Sequence, residues 1–457
     1  VILEFFERLK SRGSSPALFN GPTYTELLAK VDAWSEEFLK QGIGAGSVCA
    51  VYGDFSPGTC SLILALIRKR AIVVPFTRAI ESEIAELSQI AEVQFFFHFG
   101  SEKGNSNSFE EWKIEKRETR VKNQLTLDFI ALNHPGLIVF SSGSTGKPKG
   151  ILHDCSRVME KFLKTREPHR APLFLMMDHF GGFNTFLSIL GDGGMGICVS
   201  DRGPENVCRL IEAARATLLP TTPTFLNLLI ASGAFNRFDL TSVKVITYGT
   251  EVMHEATLER IRKIFPNAKI KQTYGLSELG VLRSKSENDS SLWVRVGGDG
   301  FEVKVVESIL WIRARSNMVG YLNAPSPFDS DGWMCTGDFV ECKDDYFRII
   351  GRKSEMINVG GQKVFPAEVE SVLLQAGNIR EATVFGERHP LMGQVVMARL
   401  ALNQPENFDL LKERLRKHCL ERLAKFKIPM KFTLAQDGED HHNERFKKVR
   451  KNADSPG

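Results

Sequence analysis

An α/β fold carrying a β-rich insertion and a small C-terminal domain is what this sequence predicts, and three patterns predict it. Helical and short apolar segments alternate through the first three hundred residues, as parallel βαβ units require. Between residues 283 and 350 the pattern turns to short strands with turns, such as ILWI at 309–312 and YFRII at 346–350. After Gly351-Arg352-Lys353 come 104 residues with strand and helix patterns of their own, enough for a separate small domain. Domains are therefore expected at 1–352 and 353–457, with 283–350 a β-rich subdomain of the first.

Taken in order, residues 1–10 (VILEFFERLK) mix Glu and Arg among apolar side chains as an amphipathic helix does, without the apolar centre or cleavage site of a signal peptide. From 23 to 42 Leu27, Val31, Trp34 and Phe38 form one helical stripe. Thr23 with Glu26 is expected to make a capping box, and Gly42 suits the C-terminal cap. Val48–Tyr52 is a β-rich run. The apolar stretch 61–76 is interrupted by Arg68, Lys69 and Arg70, so it falls short of the roughly 20 apolar residues of a membrane span. Further strands are expected at 137–140, 196–199, 218–219, 243–247 and 269–273. There is no repeat of fixed period, and the last seventeen residues are polar and expected to be loose.

Composition narrows the function classes. Apolar residues make up 42% and charged residues 25%, which fits a folded globular chain. Lys plus Arg is 59 against 55 Asp plus Glu, and the signs alternate, so a nucleic-acid partner is not expected. The eight cysteines include no CxxC pair and no His/Cys cluster at zinc spacing. They read as buried thiols of a cytoplasmic protein, with neither disulfide nor structural zinc.

The strongest local motif is FSSGSTGKPKG at 140–150, after an apolar strand and before a helical pattern near 156–163. Its glycines let backbone approach an anion, Ser141, Ser142, Ser144 and Thr145 offer hydroxyls, and Lys149 supplies charge. A Walker A loop is the nearest alternative and fails twice: Pro148 follows Gly146-Lys147, and Ser141 stands where the first glycine belongs. A plain Gly/Ser surface loop is the other alternative. At the end of another expected strand, where ligands of open α/β sheets gather, stands Tyr274-Gly275-Leu276-Ser277-Glu278. It combines an aromatic, a hydroxyl and a carboxylate for Mg²⁺. A third segment, 331–338, sets Asp338 beside a glycine turn, with Gly351-Arg352 thirteen residues on. A fourth, INVGGQKVFPAEVE at 357–370, pairs Gly360 with Gly361 before Pro366 and a helix start. Taken singly, each of these is equally compatible with an ordinary turn.

In this order and spacing the segments resemble the core motifs of the adenylate-forming superfamily of acyl-CoA synthetases, peptide-synthetase adenylation domains and luciferases. Thr23-Tyr24-Thr25-Glu26-Leu27, Met318-Val319-Gly320-Tyr321 and the 423–429 segment LAKFKIP are similar to three further segments of that family. The resemblance implies a large N-terminal domain of two packed α/β sheets with a small β-barrel-like subdomain, followed by a small mobile α+β C-terminal domain. It implies ATP-dependent activation of a carboxylic acid to an acyl-adenylate, with pyrophosphate released and the acyl group passed to a thiol.

Residue by residue, the resemblance assigns Ser141, Ser142, Gly143, Ser144, Thr145, Gly146 and Lys149 to the phosphates, with Ser277 beside them and Glu278 on Mg²⁺. Tyr274 and Gly275 are assigned to adenine, with Tyr248, Gly249, Thr250 and Glu251 as the facing strand end. Asp338 and Arg352 match the ribose contacts. Lys447 matches the mobile domain's catalytic lysine, although Phe446 replaces the usual glycine and Lys448 or Lys451 are alternatives. Gly360 and Gly361 are implied to open the thiol channel after a rotation about Ser354, where relatives carry Asp or Lys.

For the acid pocket the resemblance points to Asp178, Phe180, Phe183, Phe225 and Gly280, with His179 as the gate beside the reacting carboxylate. If Asp178 faces the pocket, an amino acid is implied; if it faces away, a fatty or aromatic acid, which is favoured. The expected acceptor is CoA. A stand-alone enzyme loading the phosphopantetheine of an acyl or peptidyl carrier protein is the alternative, and a non-catalytic nucleotide-binding homologue is the third reading.

Overall fold

The computed structural model describes residues 1–100, 112–142, 147–282, 284–298 and 300–435. Capping chemistry sets the first helices. Thr23 accepts from the Glu26 amide while the Glu26 carboxylate accepts from the Thr23 amide, and Gly42, at φ 75°, ends the helix Tyr24–Gln41. That helix buries Leu27, Val31, Trp34 and Phe38; the preceding helix Ile2–Lys10 buries Phe5, Phe6 and Leu9.

Seven strands form the first sheet, in the order Gly320–Tyr321, β2 (Pro148–Asp154), β1 (Gly136–Ser142), Ile72–Phe76, Val48–Tyr52, Phe95–Phe99 and Trp112–Lys116. The central strands pair in parallel and are apolar nearly throughout, because both faces of a parallel sheet are covered. Pro57–Arg68, whose residues from Thr59 to Ile67 are all buried, is one of the covering helices. One feature differs from the sequence expectation. The Gly/Ser/Lys segment does not lead from strand to helix: β1 and β2 pair antiparallel, Ser141 opposite Lys149, so it closes a hairpin. The helical pattern that follows is split into Cys155–Met159 and a 3₁₀ turn, Glu160–Leu163.

A second layer is built on three parallel strands, β3 (Leu218–Thr221), β4 (Val245–Tyr248) and β5 (Lys269–Gln272), with β4 in the middle. Their Leu219, Ile246 and Ile270 side chains join a core with the helices Pro204–Ala214, Pro223–Ser232 and Glu255–Ile264. The helix α1 (Phe180–Gly191) packs into the first core through Phe180, Phe183, Phe186, Leu187 and Leu190. Residues 284–352 then make a six-stranded antiparallel sheet that includes β6 (Met334–Lys343) and β7 (Tyr346–Arg352).

The small C-terminal domain has its own sheet and core, with the helices Pro366–Gln375 and Phe408–Leu420 burying Val369, Leu373, Leu411 and Leu415. Among the described residues it meets the large domain at the 339–365 and 254–370 contacts. The Phe339 and Phe365 rings lie 5.1 Å apart, Phe365 covering Gly351, and the buried His254 stands 3.7 Å from the buried Glu370 carboxylate. All eight cysteines are free thiols, but the expectation that they are buried holds for only five: Cys198 is half-buried, and Cys335 and Cys342 sit exposed on or beside the outer six-stranded sheet. Among the described residues no helix is long and apolar enough to cross a membrane.

Candidate active site

A cleft of ≈ 1050 Å³ opens where the β1–β2 hairpin, the ends of β4 and β5, the N-terminus of α1 and the 274–282 segment converge. Beside it, at the hairpin, a cation and a phenol that do not themselves line the cleft lead to a carboxylate that does, Glu278. The Lys149 ammonium stands 5.0 Å from the centre of the Tyr321 ring, and the Tyr321 hydroxyl donates to Glu278 Oε1 at 2.7 Å. Tyr321 reaches both because Gly320–Tyr321 pairs with Leu152 and Ile151 of β2. Burial, with the Glu278 charge behind it, pushes the Tyr321 phenol far above its ordinary range, so it stays a donor. Ser141 lines the cleft. Ser142 ends β1, whereas Gly143, Ser144, Thr145 and Gly146 lie outside the described residues.

The strand end after β4 is sterically specified. A Cβ on Gly249 would stand 2.6 Å from Thr273 Oγ1, so the chain passes Thr273 only as glycine. Thr250 follows at φ 71°, a conformation that a β-branched residue adopts only under constraint. Gly249 and Thr250 line the cleft, but the neighbours expected with them do not. The Tyr248 ring is buried in the second core with its hydroxyl 3.4 Å from Gln272 Oε1. The Glu251 carboxylate turns to the first turn of the helix Pro223–Ser232, where it accepts from the Thr224 amide and hydroxyl.

The floor is the tight hairpin of Gly275–Leu276 with Gly280–Val281. A Cβ on Gly275 would meet the Gly280 carbonyl oxygen at 2.6 Å, and one on Gly280 would meet the Phe180 ring at 2.9 Å. Tyr274 lines the cleft while its hydroxyl donates to Asp338 Oδ2 at 2.5 Å. Asp338 faces Arg352 across the β6–β7 ladder, and Arg352 Nε donates to Asp338 Oδ1 at 2.9 Å. Burial and the Asp338 charge hold the Tyr274 phenol well above its usual value, and the same carboxylate raises Arg352. Asp338 itself is buried behind Tyr274, with each oxygen already accepting one hydrogen bond; it does not form the cleft wall directly, while Arg352 does.

Fully buried beneath the floor, His153 lies against the Phe180 ring. Burial pushes its imidazole down to about 4, so the ring is neutral. With a carbonyl opposite, Nε2 carries the proton and donates to the Ser277 oxygen at 2.6 Å, tying β2 to the 274–279 turn.

On the acid side, His179 stands at the N-cap position of α1, without a side-chain cap bond, and lines the cleft, as do Phe180, Ser277, Glu278 and Gly280. Three residues expected in the pocket wall are elsewhere. Phe183 is fully buried in the first core because it lies on the inner face of α1. Phe225 is fully buried in the second core, its ring 4.4 Å from that of Phe174. Asp178 is buried outside the wall, Oδ2 accepting from the Thr77 hydroxyl at 2.8 Å. Gly360 and Gly361 form a turn at φ 56° and 87°, and Gly361 borders a separate cavity with Asn358, His389 and Met392 rather than the cleft. Lys447, Lys448 and Lys451 lie outside the described residues.

Sequence reasoning gave no role to His153 or Lys161. The signal for His153 was weak but present, a histidine in the apolar run ILHD of a strand directly after the Gly/Ser motif. Lys161 falls on a short 3₁₀ turn whose period gave nothing to read. Among the described residues no group of three or more His, Cys, Asp or Glu side chains is placed to hold a metal. Glu278, an oriented hard-oxygen donor, fits Mg²⁺ that arrives with phosphate oxygens rather than in an all-protein cage.

A family model described as AMP-binding enzyme matches residues 5–321, and one described as AMP-binding enzyme C-terminal domain matches residues 368–443. The chain is 28% identical over 300 residues to 4-coumarate–CoA ligase 4 of Arabidopsis thaliana, covering 58% of this chain and 52% of that ligase. It is 26% identical over 459 residues to the fatty acid–[acyl-carrier-protein] ligase MmaC of Mycobacterium marinum, covering 87% and 85%. The chain thus spans about half the length of the plant ligase. Among solved structures, o-succinylbenzoate CoA synthetase of Bacillus subtilis in complex with an acyl-adenylate superposes with a TM-score of 0.76 at 18% identity, over 99% of this chain and 98% of that one. ATP-bound MatB of Rhodopseudomonas palustris gives a TM-score of 0.73 at 19% identity, over 94% of each chain.

Proposed function

The chain belongs to the AMP-binding enzyme family, and from that premise we propose that it activates a carboxylic acid with ATP, forming an acyl-adenylate and pyrophosphate, and then transfers the acyl group to CoA. The observation that carries the reading is the chain from Lys149 through Tyr321 to the cleft-lining Glu278, beside a cleft lined by Tyr274 and Arg352, which the buried Asp338 holds together.

Both reactants are anions, so a site for this reaction must offset their repulsion and hold a carboxylate oxygen in line with the α-phosphate. Lys149 and the hydroxyls of the 141–145 segment would meet the β- and γ-phosphates. Glu278, held by Tyr321, would bind Mg²⁺, which supplies charge neutralisation on the phosphates. Tyr274, pinned by Asp338, would present its ring to adenine, with Gly249 and Thr250 opposite. Arg352 would meet the ribose hydroxyls through its remaining N–H groups, with Asp338, the other expected ribose contact, holding Arg352 and Tyr274 in place from behind. His179 would orient the reacting carboxylate. Lys447 is our candidate for the cation that bridges carboxylate and α-phosphate.

Asp178 supports an acid without an α-amine, since it is engaged by Thr77 outside the wall and so is poorly placed to pair an ammonium. A carrier-protein phosphopantetheine is the second acceptor to test, favoured by the 87% of the chain that matches a carrier-protein ligase. The free thiols are consistent with a cytoplasmic setting, which we also propose.

The test is pyrophosphate release from ATP across fatty, aromatic and amino acids, each with and without CoA. Release with fatty or aromatic acids that rises on adding CoA is the expected result. Release only with amino acids, indifferent to CoA, would overturn both the acid class and the acceptor.

A further inference from the structure

Lys161 lines the cleft from the 3₁₀ turn Glu160–Leu163, its ammonium 5.2 Å from the Phe162 ring centre and 6.0 Å from that of Phe180. Nζ donates to the Val281 carbonyl oxygen at 3.1 Å, which fixes it beside the 275–281 hairpin and the first turn of α1. This is the side of the cleft where His179 and Phe180 stand.

An ammonium has three N–H groups, and one is used. Among the described residues no carboxylate lies within ion-pair distance of it. The charge that acts on it is another cation, Arg166. Farther along the same cleft, strand alternation points Lys269 and Lys271 of β5 into the opening while Ile270 and Gln272 face inward, and Lys285 stands on the adjoining strand. The wall's anions on this side are Glu167, Asp192 and Glu278; Asp192 already has Arg166, Arg8 and Arg12 around it, and Glu278 is taken by the Tyr321 hydroxyl and lies beyond ion-pair distance of Lys161. A desolvated cation is costly without a counter-charge, and burial pushes the Lys161 ammonium down to about 7. A fatty or plain aromatic acid would leave that cost in place; an incoming anion would remove it.

We propose that Lys161 reads the far end of the substrate, and that the acid this protein activates carries a second carboxylate that takes the Lys161 ammonium as its counter-ion. The inference rests on the acid-activating reading above and narrows its substrate class. The reacting carboxylate would lie at His179 and the second at Lys161, with Phe180 and Gly280 along the spacer.

The test uses matched probes: hexanoate against hexanedioate, and benzoate against 1,4-benzenedicarboxylate, in ATP-dependent pyrophosphate release by the full chain. The wild type is expected to favour each diacid through KM, by about tenfold or more, the effect of one charge-assisted hydrogen bond. Lys161→Met should collapse that ratio toward one, and Lys161→Arg should keep most of it, which a merely structural lysine would not produce. Lys161→Gln serves if the methionine variant does not fold. A wild type that prefers the monoacids, or a diacid ratio unchanged in Lys161→Met, would overturn the proposal. If no acid at all releases pyrophosphate, the acid-activating reading fails. Calorimetric binding of the same four acids to wild type and Lys161→Met then decides the role of Lys161 separately, equal affinities overturning it.

Discussion

His153 illustrates how a single buried group sets a condition on the whole floor of the cleft. The unfolded chain takes up a proton on this imidazole near its ordinary value of 6.5, the folded chain only near 4. Between those values the unfolded state binds more protons, so the stability that depends on a neutral His153 is complete above 6.5 and is lost as pH falls toward 4. The span corresponds to about 3 kcal/mol. Thermal unfolding followed against pH should show a steeper loss for the wild type than for His153→Gln, which keeps a donor for the Ser277 carbonyl without the titration. Parallel curves would show that the proton is not excluded. Tyr321 gives the complementary case. Tyr321→Phe keeps the ring beneath Lys149 but removes the donor to Glu278, so the carboxylate loses its orientation. The expected result is a rise in KM for Mg²⁺-ATP of about tenfold with little change in melting temperature. An unchanged Mg²⁺-ATP dependence would remove the Tyr321–Glu278 pair from the site.

At the scale of elements, the hairpin Gly275–Leu276 with Gly280–Val281 is the most constrained piece of the site, because two strands of two residues each have to place Ser277 and Glu278 between them. Gly275→Ala would set a methyl group 2.6 Å from the Gly280 oxygen, and backbone on both sides leaves nothing flexible to yield. The hairpin should open, with pyrophosphate release falling about a hundredfold and stability by about 1–3 kcal/mol. Retained turnover with normal Mg²⁺ dependence would mean that the turn tolerates more movement than these contacts allow. Elements of this kind separate what was legible in the sequence from what was not. The helix Tyr24–Gln41 was readable to its caps, since Thr23, Glu26 and Gly42 act on neighbours within a turn. Val48–Tyr52 was readable because a parallel strand is apolar on both faces. The β1–β2 hairpin was not: PKGILHD carries a proline and a glycine at its start, and its pairing with Gly320–Tyr321 spans more than 160 residues. The pocket wall was the least legible part. Phe183 and Phe180 stand three positions apart on one helix and both join the core, yet only Phe180 also lines the cleft, a difference set by which neighbour packs against each.

At the scale of the whole molecule, the proposed function turns on movement of the small domain. Among the described residues its contacts with the large domain include the Phe339–Phe365 pair over Gly351, Lys363 over the Phe339 ring and the His254–Glu370 pair. The Gly360–Gly361 turn, proposed to open the thiol channel, is not at the cleft in this arrangement, so the second half-reaction would require the domain to rotate. The chain between the domains runs from β7 into the 3₁₀ turn Lys353–Glu355, and this turn offers a clean test. Lys353 is the first helical position, where proline is well tolerated, and Arg352 before it sits at φ −97° and ψ 146°, the extended region that a following proline demands. Lys353→Pro should therefore leave this arrangement intact while fixing one of the dihedrals that a rotation would turn. Acid-dependent pyrophosphate release in a single turnover should persist, whereas transfer from a supplied acyl-adenylate to CoA should fall by an order of magnitude or more if that dihedral carries the hinge. Equal loss of both half-reactions would point to damage at Arg352, and equal retention would place the pivot elsewhere, with Ser354→Pro the next position to examine.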